Sequence, residues 1–211
     1  MGANGTIDVA NDRSPLVPAL ARDTQRDRLL HGMAHTVTRR GYAATPVAEV
    51  LKAAGVSRRT FYEQFADKED CFLAAYDAIA SVCTERLVAA YHAGETWEDG
   101  IALAYDGLLS TLAAEPDFAH LAVVDVLAAG PRALARREAA LRRLARFIEF
   151  TRERADVVAP PPTLVGQAIV GGIHELVYSK LVRGRAAQLP ELTGELLRYT
   201  FLLLGVRSPV S

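Results

Sequence analysis

The chain has 211 residues, half of them apolar, and a formal net charge of −1. That size buries a real core, in one domain or in one small and one larger. The near-neutral balance excludes a global field that would draw nucleic acid to the whole surface, and two cysteines exclude a disulfide scaffold.

Residues 1–20 mix Gly, Asn, Asp and Ser with Pro15 and Pro18, the composition of a flexible tail. No basic-then-apolar leader pattern is present, and no apolar run reaches the ~20 residues of a membrane span. Helical periodicity begins near Arg22, with Leu29, Leu30, Met33, Ala34 and Val37 on one face, and Gly41 ends it. Thr45 is expected to cap the next helix, with Pro46 at its first position and Val47, Val50, Leu51 and Ala54 turned inward. Gly55 is a left-handed stop and Ser57 caps a short third helix, whose buried face is Phe61 and Phe65.

Asp67 then caps a helix of about 24 residues whose stripe runs from Phe72 to Ala90. Cys71 and Cys83 lie twelve apart on it, turned about 120° from one another, so they do not bridge there. A reduced, cytoplasmic protein is expected, with no membrane partner. Further helices are expected near 97–114, 117–129, 132–155, 163–183 and 191–205, separated by Pro116, Gly130-Pro131, Pro160-Pro161-Pro162 and the segment Gly184 to Pro190. The fold class is all-α, with about nine helices. The expected division is a tail over 1–20, a helix-turn-helix unit over 21–67 and a larger helical bundle over 68–207.

Arg58 and Arg59 open the third helix, where unpaired N–H groups already carry partial positive charge. Two cations there are opposed by roughly 0.3–1 kcal/mol each, so an anionic partner is wanted. A helix-turn-helix seats its second helix in the major groove with N-terminal residues at the base edges, and arginine suits bidentate contact with guanine. The outer side of this helix offers Arg58, Arg59, Thr60, Tyr62 and Gln64.

The stretch "GYAATPVAEVLKAAGVSRRTFYEQFADKEDCFLAAY", residues 41–76, resembles the DNA-binding segment of TetR-family transcriptional regulators. Gly41-Tyr42, Thr45, Val47, Val50, Ala54-Gly55-Val56-Ser57, Phe61-Tyr62, Phe65, Lys68-Glu69 and Phe72 carry the likeness. It implies base-edge contacts by Arg58, Arg59, Thr60 and Gln64, and phosphate contacts by Tyr62 and Lys68. Thr45 and Pro46 fall close to the DNA backbone. Pro46 departs from the family's usual Ser or Thr, and Leu51 from its usual small Ala.

Charge alone points elsewhere. Residues 39–68 carry Arg39, Arg40, Lys52, Arg58, Arg59 and Lys68 against Glu49, Glu63 and Asp67, a net +3, whereas 132–155 carries eight arginines against Glu138, Glu149 and Glu153, a net +5. Leu134, Leu141, Leu144 and Ile148 give that longer segment a buried stripe, so its arginines read as a solvated face. "HELVYSK", residues 174–180, opens like a zinc-protease helix, but Tyr178 stands where the second histidine belongs, leaving His174 and Glu175 as bundle or interface residues. No catalytic residue, metal ligand or cofactor is expected.

Two half-sites about 34 Å apart require a two-fold dimer. Val165, Ile169, Gly172, Leu176, Leu196, Tyr199 and Leu203 are apolar or small at helical spacing on the last two helices, the pair through which the resembled family dimerises. A sensor pocket is expected in the bundle, with Tyr76, Trp97, Tyr105, Phe118, His120, Phe147 and Tyr178 as candidate walls for a small apolar or aromatic effector. The expected function is a sequence-specific transcriptional regulator of double-stranded DNA: a homodimeric repressor released from a palindromic operator by that effector. The competing reading is a helical small-molecule carrier or enzyme with a helix-turn-helix-like fold and no DNA role.

Overall fold

Short oxygen side chains start the helices where the sequence places them. A computed structural model describes residues 24–152 and 162–206; the tail over 1–20 lies outside the described residues. Thr24 opens α1 (Gln25–Arg40) with a reciprocal box: its hydroxyl accepts from the Asp27 N–H and the Asp27 carboxylate accepts from the Thr24 N–H. Ser57 caps α3 (Arg58–Gln64), Asp67 caps α4 (Lys68–His92) and Thr96 caps α5 (Trp97–Ala114), each accepting an orphan N–H of the first turn. α2 (Val47–Ala54) ends at Gly55, whose φ of 65° and ψ of 37° are left-handed. Thr45 does not cap it. Pro46 occupies that place, while the buried Thr45 hydroxyl donates 2.8 Å back to the Gly41 carbonyl.

The helix expected over 117–129 is divided. α6 (Pro116–Val123) gives way to a 3-10 turn over Asp125–Ala128. His120 Nδ1 lies 2.7 Å from Asp125 Oδ2, five residues on. Positions five apart stand about 140° from each other on a straight helix, so this pair needs the tighter winding. The same turn brings Val126 into the core, fully buried.

α7 (Pro131–Arg152), α8 (Val165–Val182) and α9 (Thr193–Leu204) complete nine α-helices, with no strand, among the described residues. On α7 the inward stripe uses Ala133, Ala145 and Ile148, with Leu141 and Leu144 partly buried; Leu134 is exposed instead. Its outward arginines meet acids, Arg132 with Glu69, Arg136 with Asp77 and Arg142 with Glu138, as a solvated face should.

The architecture is an N-terminal helix-turn-helix followed by a helical bundle, with α4 running from one into the other. Within the helix-turn-helix, α1 and α2 meet at Gly32, where an added Cβ would stand 2.9 Å from the Val50 carbonyl oxygen. α6 supplies a second tie between head and bundle. The His31 ring meets Phe118 edge to face at 4.9 Å, and His35 Nδ1 sits 2.9 Å from Asp117 Oδ2. The Thr38 hydroxyl donates to the Asp117 carbonyl at 3.2 Å.

Candidate functional site

α3 is a short helix fixed from beneath. Phe61 is fully buried and Phe65 is 3% exposed, which turns the opposite side of its first turn to solvent. Arg58 and Arg59 are both exposed there. The Arg59 Nε donates 2.8 Å to Glu63 Oε1, one helical turn on. Such an exposed pair is worth a few tenths of a kcal/mol, roughly 0.3–0.5, so it yields readily to a better acceptor. Gln64 and Tyr62 are exposed, and Tyr62 leans edge-on against Phe61 at 5.3 Å. Thr60 is partly buried, and its hydroxyl stands 3.0 Å from Ser57 Oγ within the cap.

The far end of α3 is held by a residue that sequence reading passed over. Arg26 lays its guanidinium 4.5 Å from the Phe65 ring centre and donates to the Gln64 carbonyl at 3.3 Å. Nothing local signals a contact spanning 38 positions. Lys68, at the start of α4, donates 2.9 Å to the Tyr42 carbonyl and stands 4.2 Å from that ring's centre. One of its three N–H groups is thus committed, and the ammonium is anchored at the edge of the candidate surface. Pro46 is exposed, but Thr45 is 1% exposed, so its hydroxyl cannot reach a phosphate.

The bundle holds a half-open cavity of about 130 Å³ between α4, α5, α6, α7 and α8. Of the aromatic candidates, Tyr76, Tyr105 and Phe147 line it. The others face elsewhere. Trp97 packs edge-on against Phe201, Phe118 against His31, and His120 pairs with Asp125, while Tyr178 sits at the margin of the core. Leu, Ile and Val make most of the remaining wall, with Arg137 and His174 among them. Cys83 opens onto the cavity but is otherwise enclosed by protein atoms, and burial pushes its thiol up to about 12. It is therefore a protonated wall and no nucleophile. Burial also lifts the Tyr76 phenol to about 12. His174 is lowered to about 4, first by burial and then by the charge of Arg137, and so is neutral near pH 7.

The expected dimer residues divide by which way they point. Val165, Ile169 and Leu196 are buried within the chain's own core. Gly172 is taken up internally as well: a Cβ there would meet the Tyr199 hydroxyl at 2.6 Å. Leu176, Gly171, Val182 and Leu202 are exposed on α8 and α9, while Tyr199 and Leu203 are half-buried. Among the described residues no cluster of His, Cys, Asp and Glu could hold a metal ion, and no helix is long and apolar enough to cross a membrane.

A helix-turn-helix with an outward, cationic second helix, mounted on a bundle with an apolar hollow, defines the class: a helix-turn-helix DNA-binding transcriptional regulator. Residues 29–75 match the family described as bacterial regulatory proteins, tetR family. The whole fold is shared with solved regulators of this kind. FadR from Bacillus subtilis in complex with stearoyl-CoA is 17% identical with a TM-score of 0.71, over 85% of this chain and 98% of that one. The fatty acid degradation regulator FadR from Bacillus halodurans is 19% identical with a TM-score of 0.75, over 86% and 95%. Reduced E. coli NemR is 15% identical with a TM-score of 0.65, over 88% and 100%. No curated protein sequence matches the chain.

Proposed function

We propose that the protein is a homodimeric repressor working in the cytoplasm, which reads a palindromic operator through α3 and leaves it when a small apolar or aromatic molecule fills the bundle cavity. One observation carries this reading: Phe61 and Phe65 are buried beneath Arg58 and Arg59, so that both guanidiniums face outward at the first turn of α3. On this reading residues 21–67 read DNA, while residues 68–207 pair the protomers and bind the effector. Arg58, Arg59 and Gln64 take base edges, Tyr62 and Lys68 hold phosphates, and Pro46 packs against the sugar-phosphate backbone. The hydroxyl of Thr60 stays in the cap.

The exposed apolar residues Leu176, Val182 and Leu202 support pairing through α8 and α9, since pairing needs apolar surface that the chain's own core leaves uncovered. The cavity supports an effector, as does the stearoyl-CoA held by B. subtilis FadR, a protein of the same fold. A ligand that favours the DNA-free form by about 1–3 kcal/mol suffices for a useful switch.

Selection of bound duplexes from a random pool tests the proposal. The expected product is a palindrome whose half-sites lie about one helical turn apart. Recovery of no preferred sequence, or of a single asymmetric site, would overturn it.

A further inference from the structure

The arginines of α7 are not all alike. Arg132, Arg136 and Arg142 face outward and each meets a carboxylate. Arg137 faces inward and lines the cavity. Its Nε is buried with no hydrogen-bond partner, and its Nη2 lies 3.4 Å from His174 Nδ1. Among the described residues no carboxylate pairs with it, and the cavity wall contains neither Asp nor Glu. A cation with an unused donor, set in an apolar wall, is an uncompensated cost that native proteins rarely leave without a reason. A guanidinium can donate two parallel N–H bonds to the two oxygens of one carboxylate.

We propose that the effector is a hydrophobic carboxylic acid, its carboxylate paired with the Arg137 guanidinium beside His174 and its apolar body in the cavity. The cavity of about 130 Å³ is close to the size that holds a benzene ring in engineered proteins, which suits a ring or a short alkyl chain. His174, which burial and Arg137 keep neutral near pH 7, can donate a further hydrogen bond to the same group. This identification rests on the reading that the bundle binds an effector, and names the chemistry of that effector.

Calorimetric titration of the full-length protein with phenylacetate and octanoate, beside 2-phenylethanol and 1-octanol, tests it. Each acid is expected to bind at least about ten-fold more tightly than its alcohol. In Arg137→Gln that preference should vanish while alcohol binding stays within about three-fold of the native value. Equal affinity of acid and alcohol for the native protein would overturn the carboxylate assignment and leave an apolar effector standing. Binding of none of the four probes would overturn both. A preference for acids that survives in Arg137→Gln would also overturn it. Should that variant fail to fold, the acid-against-alcohol comparison on the native chain decides alone, with Arg137→Lys, expected to keep part of the preference, as its companion.

Discussion

At the scale of single residues, the two guanidiniums of α3 set function against stability. Cations at a helix N-terminus oppose the backbone dipole, so Arg58→Ala should leave the melting temperature unchanged or slightly raised. The same change, or Arg59→Ala, should cost roughly 1–3 kcal/mol of operator affinity, read by fluorescence anisotropy against selected duplexes. Lys68→Ala should instead weaken binding to every sequence alike and reduce the slope of log K against log salt by about one. His174 gives a pH prediction whose sign follows from its direction of shift. Its folded value of about 4 lies below the usual 6.5, so the unfolded chain binds the extra proton first. Stability is therefore full above about pH 6.5 and falls as pH drops toward 4, by an amount on the order of 3 kcal/mol. Thermal denaturation should show this slope in the native protein and a flatter one in His174→Gln. These residues were unequally legible. Arg58 and Arg59 stood out because they break a local electrostatic preference. Arg137 did not, because eight arginines crowd one segment and only the path of α7 shows which of them turns inward.

At the scale of elements, the helix starts at Ser57 and Asp67 were legible, because in each a single side chain makes the cap. Thr45 has the same chemistry but spends its hydroxyl on Gly41, because it is buried under the turn. The break inside 117–129 has no Gly or Pro to announce it; the His120–Asp125 pair that accompanies it appears only in three dimensions. Gly32 is similarly silent. In sequence it is a weak helix former in the middle of α1, worth about 1 kcal/mol less than Ala. In the fold it is the point where α1 touches the backbone of α2. Gly32→Ala should therefore destabilise the protein by about 1–3 kcal/mol, despite its better propensity, because the Val50 carbonyl cannot yield without moving α2. Urea denaturation measures the loss, and operator binding should fall with it, since α2 supports α3.

At the scale of the whole molecule, the sequence put pairing on the last two helices, and the fold spends several of the residues it named there on the chain's own core. Val165, Ile169 and Leu196 sit at helical spacing, as interface residues would, yet that spacing serves the internal core equally well. Three apolar residues that the core leaves exposed, Leu176, Val182 and Leu202, are the better guides, and Leu202 is 79% exposed. Leu202→Glu should convert the dimer to monomers in sedimentation velocity without loss of helical circular dichroism, and operator affinity should collapse with it. The cavity was legible only in part for the same reason. Aromatic residues mark a core, but which of them face a hollow depends on how five helices meet.

α6 has only eight residues, a rod about 12 Å long. Its first turn is bolted to α1 by Asp117 and Phe118, while Ala122 and Val123 at its other end form part of the cavity wall. If the bundle takes up an effector as proposed, a rod that short shifts as a whole, and one route from the hollow to the head runs through it. On that reading, the 3-10 turn at Asp125 sets how freely the rod can move.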